Sequence, residues 1–229
     1  MRFPHVQGAF RQTIVAEAIQ AHVVNPNIAI EEAAFAEPFA VTLHAVNRAG
    51  PLLNKRVLVT GCGPIGALAI VAAKENGARE IFATDISDFT LKLAREMGAD
   101  HTVNVKTAPE GMTLLKNGKG QIDIMIEASG SEAALHLGLE VLRPRGILVQ
   151  LGLGGLLNIP QNIVVGKEIE IRGSFRFHDE FALAVDLINR RRVDLRPLLT
   201  EVVSLNEAKR AFDLASDRSK AMKVQIDFE

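Results

Sequence analysis

The chain has 229 residues, 48% of them hydrophobic, with 26 basic and 27 acidic side chains and a formal net charge of −1. That size and apolar content bury a substantial core, and the near-zero charge supplies no field to draw nucleic acid or an anionic membrane onto the surface. A single cysteine, Cys62, excludes a disulfide framework and a cysteine-only metal cage within the chain, and the absence of Tyr and Trp excludes reductases whose general acid is a tyrosine.

The first 36 residues hold a strand-like stretch, Ala9 to Ala16, and a loop-forming Asn25-Pro26-Asn27, and they read as a fragment of a β-rich unit. An amphipathic helix carrying Glu37 and His44 follows. From there strand-like and helix-like segments alternate, the pattern of a parallel sheet covered on both faces. Arg56 to Thr60 predicts the first strand, and a glycine turn leads into a helix from Pro64 to Asn76 that Gly77 ends. Glu80 to Thr84 predicts the second strand, and Ser87 or Asp88 caps a helix with Leu91, Ala94 and Met97 at helical spacing before Gly98. Further strands are expected at His101 to Val105, Ile122 to Ile126, Gly146 to Leu151 and Glu168 to Arg172, with a helix at Ser131 to Leu142. Beyond Asp179 comes a helix presenting Phe181, Ala184, Val185 and Ile188 on one face, with Arg190-Arg191-Arg192 as its solvated end. A second helix, Asn206 to Ala215, and a last strand, Ala221 to Phe228, complete the chain. The expected division is residues 1–36, a nucleotide-binding unit over 37–177, and 178–229 returning to the first unit, so that the two termini pair in one smaller domain. No apolar run reaches about 18 residues and no signal-peptide pattern opens the chain. A soluble, cytoplasmic protein is therefore expected.

The sharpest motif is Gly61-Cys62-Gly63-Pro64-Ile65-Gly66, a G-x-G-x-x-G between a strand and a helix. Gly61 makes the tight turn, Gly63 lets backbone approach a pyrophosphate, and Gly66 allows close packing of helix on strand; Pro64 and Ile65 begin the helix whose amides face the phosphates. Glycine turns of this kind also occur with no ligand. Here the context continues: the second strand ends at Asp85, where a carboxylate can hold the ribose hydroxyls of an adenosine or, alternatively, begin a turn. Six strands and this fingerprint predict an α/β protein with a doubly wound, Rossmann-type parallel sheet. Asp85 favours NAD over NADP, because it would repel a 2′-phosphate and no Arg or Lys follows before Lys92. Nicotinamide contacts are expected from loops at the carboxyl ends of later strands: Ala128 to Gly130, then Leu151, Gly152 and Leu153, then Ser174, Phe175 and Arg176.

Glu37, within Ala36-Glu37-Pro38-Phe39-Ala40, reads as a buried carboxylate in need of a partner. Arg176, between Phe175 and Phe177, could supply one near the reactive end of the cofactor, or the two could form an ordinary structural ion pair. His44 reads as a packed or surface histidine.

With these residues in view, the chain resembles the zinc-containing medium-chain dehydrogenase/reductase superfamily, in its polyol dehydrogenase branch. The resemblance is carried by Phe3-Pro4-His5-Val6-Gln7-Gly8-Ala9-Phe10, by Glu37-Pro38 through His44-Ala45, by the glycine fingerprint, by Gly166-Lys167-Glu168-Ile169 and by Gly173-Ser174-Phe175-Arg176-Phe177. It implies that the flanks are remnants of a β-rich, GroES-like catalytic domain and that Met1 falls well inside the family's chain. In the family a catalytic zinc, held by Cys and His from the part before that position, polarises the substrate alkoxide while hydride passes to the nicotinamide. The resemblance therefore implies that zinc belongs to the family but is not held by this chain alone. It also implies that Glu37 is the carboxylate facing the metal through water or exchange, and that Arg176 is its partner and a substrate contact beside Phe177. Phe177 and Thr90 stand where sorbitol-specific relatives carry tyrosine and arginine, which argues against sorbitol. The implied activity is NAD-dependent oxidation of a secondary alcohol of a small-molecule sugar acid or polyol. Apolar surface exposed on the flanks is expected to make the chain associate as a homo-oligomer. The alternatives are a catalytically incomplete dinucleotide-binding module, or a methyltransferase, which also pairs a glycine turn with an acidic residue.

Overall fold

The computed structural model describes Gly8 and residues 10–228. Phe3 to Gln7 and Ala9, part of the resemblance, lie outside the described residues. In chain order the elements are α1 (Ile30–Ala33), α2 (Ala36–Ala49), β1 (Arg56–Thr60), α3 (Pro64–Glu75), β2 (Glu80–Asp85), α4 (Asp88–Glu96), β3 (His101–Asn104) and β4 (Ile122–Glu127). They continue as α5 (Glu132–Val141), β5 (Leu142–Gln150), α6 (Gln161–Lys167), β6 (Glu170–Gly173), α7 (Glu180–Asn189), β7 (Leu199–Ser204), α8 (Ala208–Ser216) and β8 (Lys223–Asp227).

Six strands form one sheet in the order β3-β2-β1-β4-β5-β6, every neighbouring pair parallel. This is the doubly wound arrangement expected of the alternating pattern. Its central strands are buried on both faces, and the two-residue period of a strand sorts their side chains. Val57 and Val59 join Ile124 and Ile126 under α2 and α3, where Phe39, Leu43 and Ile70 pack. Leu58 and Met125 face the other way, against Leu135, Leu139 and Met112. Strand order reverses between β1 and β4, so a crevice opens past their carboxyl ends, where Thr60 and Glu127 are register partners. The helix starts follow local chemistry: the Ser87 hydroxyl caps α4 by accepting the Thr90 N–H, and Pro64 sits in the first turn of α3, where its missing N–H is harmless.

The flanks depart from expectation. Residues 10–16 form no strand; extended backbone with no neighbour to complete a ladder gains nothing as a strand. Among the described residues the two terminal segments do not pair with each other as strands either. Instead β8 pairs in parallel with β7 in a separate two-stranded sheet, and β7 was not foreseen from the sequence. The ends meet through side chains: the Phe10 ring lies 5.1 Å from Phe228 and 6.1 Å from Phe212, and the Gln225 amide donates to the Glu31 carbonyl. Smaller shifts have backbone causes. β5 begins earlier than predicted, with Arg145 at φ 58° interrupting it, and β6 begins later because Glu168 takes a left-handed conformation that ends α6. Among the described residues no helix is long and apolar enough to cross a membrane.

Candidate functional site

The three fingerprint glycines answer to different constraints. Gly61 turns the chain at φ 80°, and a Cβ there would lie 2.7 Å from the Ser129 Cβ and 2.8 Å from its backbone N. A Cβ on Gly66 would lie 1.7 Å from the Gly61 carbonyl oxygen, which lets α3 start hard against β1. The protein itself demands glycine at both positions. At Gly63 a Cβ would meet nothing within 4 Å, so no packing contact demands glycine there, and the space it faces is open. The first turn of α3, with the N–H groups of Ile65 and Gly66, brings donors without intrahelical acceptors and the positive end of the helix dipole to this turn.

Asp85 closes β2 beside the turn and is half-buried. Its Oδ2 accepts the Cys62 N–H at 2.6 Å, and its Oδ1 accepts the N–H groups of Ile86 and Ser87 at 2.7 and 3.0 Å. A carboxylate offers about four acceptor positions, so Asp85 shapes the glycine turn and keeps capacity for one more donor. Cys62 is fully buried. Burial, with the charge of Asp85 added, pushes its thiol well above the ordinary range, so it is an inert packing residue and no nucleophile.

The later strand ends converge on the same edge. Leu151 and Gly152 donate their N–H groups to the Glu127 carbonyl at 2.9 and 2.7 Å. Leu153 is exposed, and its backbone, with that of Gly154, packs against Gly130. The Ser174 N–H donates to the Gln150 carbonyl at 3.0 Å, while its buried hydroxyl has no partner among the described residues. Phe175 is exposed, and the Arg176 guanidinium lies over its ring at 5.1 Å. Phe177 stacks on Phe181 with centroids 5.7 Å apart.

Glu37 corrects the sequence reading. It is exposed in the first turn of α2, and among the described residues no ion pair joins it to Arg176. The helical period turns Ala36, Phe39, Ala40 and Leu43 inward and leaves Glu37 outward, where solvent and the helix N-terminus stabilise its charge without a counter-ion. His44, two turns further along nearly the same face, reaches α7: its Nδ1 lies 3.0 Å from Glu180 Oε1, which also accepts the Asn47 amide at 2.9 Å. Burial alone would raise the Glu180 carboxyl, but the His178 N–H, His44 and Asn47 outweigh it and hold it at about 2.

Residues 64–190 match the zinc-binding dehydrogenase family. The chain belongs to that family. It is 42% identical, over 230 residues and its full length, to L-idonate 5-dehydrogenase (NAD(P)(+)) of Escherichia coli strain K12. It is 33% identical over 204 residues, 87% of its length, to sorbitol dehydrogenase of Gallus gallus. The crystal structure of the E. coli L-idonate 5-dehydrogenase superposes on the whole chain with a TM-score of 0.95 at 40% identity. The polyol dehydrogenase resemblance and the doubly wound α/β fold read from the sequence are thus borne out. The chain spans 66% of the L-idonate enzyme's length and 57% of the sorbitol dehydrogenase's.

The family's zinc can be tested against the side chains present. Among the described residues no group of three or more His, Cys, Asp or Glu is placed to hold a metal ion, whereas a catalytic zinc takes three protein ligands. These residues do not by themselves fit a zinc centre. One residue that sequence reasoning missed is Glu127. The predicted fourth strand stops at Ile126, yet β4 runs on to Glu127, which is wholly buried. The available signal was an acidic residue closing an apolar central strand just before Ala-Ser-Gly, three small residues rich in backbone donors.

Proposed function

We propose that the chain binds NAD(H) across the Gly61–Gly66 turn and serves the NAD-linked oxidation of a secondary alcohol in a sugar acid or polyol. The observation that carries this reading is Gly63: its missing side chain answers to no contact within the protein, and it faces open space beside the donors of α3. A diphosphate is the group that uses both features. In this reading Ile65 and Gly66 hold the diphosphate, Asp85 holds the adenosine ribose and disfavours a 2′-phosphate, and 151–153 with Ser174, Phe175 and Arg176 frame the nicotinamide. The unpartnered Ser174 hydroxyl supports a ligand there. NAD, when bound, supplies the hydride acceptor. Glu37, Arg176 and Phe177 face the substrate, with Glu37 also the residue nearest in role to a metal. The names of the two relatives support the substrate class. We further place the protein in the cytoplasm as a homo-oligomer; the exposure of Ile14, Val15, Ile19 and Val23 within one short segment supports self-association.

Fluorescence titration tests the cofactor reading. Saturable NADH binding, tighter than NADPH, is expected. No binding of either, or thermal stabilisation by S-adenosylmethionine instead, overturns it. A second reading, a dinucleotide-binding module without catalysis of its own, is favoured by the lack of a metal-holding group among the described residues. Zinc content and polyol turnover, measured on protein that binds NADH, separate the two.

A further inference from the structure

Glu127 is a wholly buried carboxylate at the end of a central strand, and among the described residues no cationic side chain pairs with it. Leaving such a charge without a counter-ion is costly unless hydrogen bonds replace water in full. They do. Thr60, Glu127 and Gln150 are successive partners in one row across β1, β4 and β5, so their side chains leave the same face of the sheet. The Thr60 hydroxyl donates to Oε1 at 3.3 Å and the Gln150 amide to Oε2 at 2.7 Å. From the loop after β4, the Ser129 N–H donates to Oε1 at 2.8 Å, the Ser129 hydroxyl donates to the same oxygen, and the Gly130 N–H lies 3.0 Å from both oxygens. Every partner is a donor, so the group serves only as an acceptor.

The consequence is mechanical. Ser129, held by Glu127, fills the space behind Gly61, where a Cβ would come within 2.7 Å of it. Gly152 lies so close that a Cβ there would be 2.7 Å from Glu127 Oε2. Gln150 uses the same nitrogen to reach the Gly152 carbonyl at 2.8 Å. One carboxylate thus ties the glycine turn after β1, the loop after β4 and the loop after β5 together, at the point where strand order reverses. An apolar side chain would serve the core of the sheet but could not hold these loops.

We propose that Glu127 is a positioning residue for the cofactor: it fixes residues 128–130 and 150–152 against the Gly61 turn and so sets affinity for the dinucleotide without touching it. The proposal rests on the NAD(H) reading above. Glu127→Gln keeps the shape but turns one acceptor into a donor. Its NH2 fits only where Gln150 now donates, and flipping the Gln150 amide to accept it breaks the bond to Gly152. Gln150→Leu removes a single donor and serves as the milder variant. Leu139→Ala, in the core under α5 and away from these loops, is the control for general loss of stability.

Two measurements on the whole chain decide the matter. Amide hydrogen exchange without cofactor is expected to accelerate at 128–130 and 150–152 in Glu127→Gln while Val57 to Val59 stay protected. The Kd for NADH is expected to rise about tenfold or more, less in Gln150→Leu, and to stay unchanged in Leu139→Ala. Uniform acceleration through the sheet, loops that exchange as in wild type, an unmoved Kd, or an equal loss of affinity in the Leu139 control would each overturn it. A wild-type chain that binds no NADH sinks the cofactor reading and this proposal together. A wild-type chain that binds, with a Kd that Glu127→Gln leaves unmoved, sinks this proposal alone.

Discussion

Replacing Gly63 and Gly66 by alanine, one at a time, should separate binding from stability. At Gly63 the backbone sits at φ −62° and ψ −173°, open to any residue, and the added methyl meets no protein atom within 4 Å. Alanine is a poorer helix N-cap than glycine by about 0.5 kcal/mol or somewhat more, and it restricts the unfolded chain by about 0.4–1 kcal/mol in the opposite sense. The two nearly cancel, so the unfolding midpoint should stay within about 2 °C of wild type. The methyl nevertheless occupies the side from which a diphosphate must approach, and loss of even one charge-assisted hydrogen bond weakens binding by about 1.5–3 kcal/mol, or about tenfold and upward in Kd. At Gly66 the methyl would stand 1.7 Å from the Gly61 carbonyl oxygen, a backbone atom that no rotamer change can move aside. The first turn of α3 must retreat from β1, an overpacking cost of about 1–3 kcal/mol that lowers the midpoint by about 3–10 °C. Thermal unfolding and NADH fluorescence titration on both variants read the contrast. A Gly63→Ala protein with wild-type stability and wild-type NADH affinity would refute the reasoning, because the open side of the turn would then face no ligand.

Asp85→Ala removes the acceptor of three backbone N–H bonds; titration should show NADH affinity falling by about 1–3 kcal/mol, and NADPH affinity falling less because a like-charge repulsion is removed with it. Glu180 is held at about 2 in the folded protein against an ordinary 4.5, so its stabilising effect is complete above the ordinary value and is lost as pH falls toward the folded one. Urea midpoints should therefore decline with acidification between those limits more steeply in wild type than in Glu180→Gln, and parallel curves would count against it. Lys167 donates to the carbonyls of Leu139, Glu140 and Leu142 at 2.7–2.8 Å, closing the end of α5. Lys167→Met should cost about 1–3 kcal/mol in urea unfolding, since those carbonyls lose a charged donor.

Legibility in the sequence followed the range of the forces involved. β1 was readable to the residue because Arg56 to Thr60 is a β-branched run closed by a glycine that must turn, and both facts are local. α4 was readable from its cap and its helical spacing for the same reason. Glu37 was misjudged because its apolar neighbours suggest burial, while the helical period, which decides which of them face inward, leaves it in solvent. The end strand Ala221 to Phe228 was found, at Lys223–Asp227, but its partner was not. Pairing depends on where a remote segment lands, and Leu199–Ser204 mixes acidic, hydroxyl and aliphatic residues too freely to mark itself as a strand.

Glu127 marks the limit most sharply, and the reason concerns topology. A carboxylate after an apolar run reads locally as the first polar residue of a loop, because burying it would be ruinous alone. Its burial becomes tolerable only when β1 and β5 arrive on either side and bring Thr60 and Gln150 level with it, partners 67 and 23 residues away in the chain. Those neighbours exist because the sheet reverses its winding at β4. The same reversal sends the flanking helices to opposite faces and leaves the crevice open above. The event that makes room for a ligand is therefore also the event that brings Thr60 and Gln150 to a buried acid at its floor.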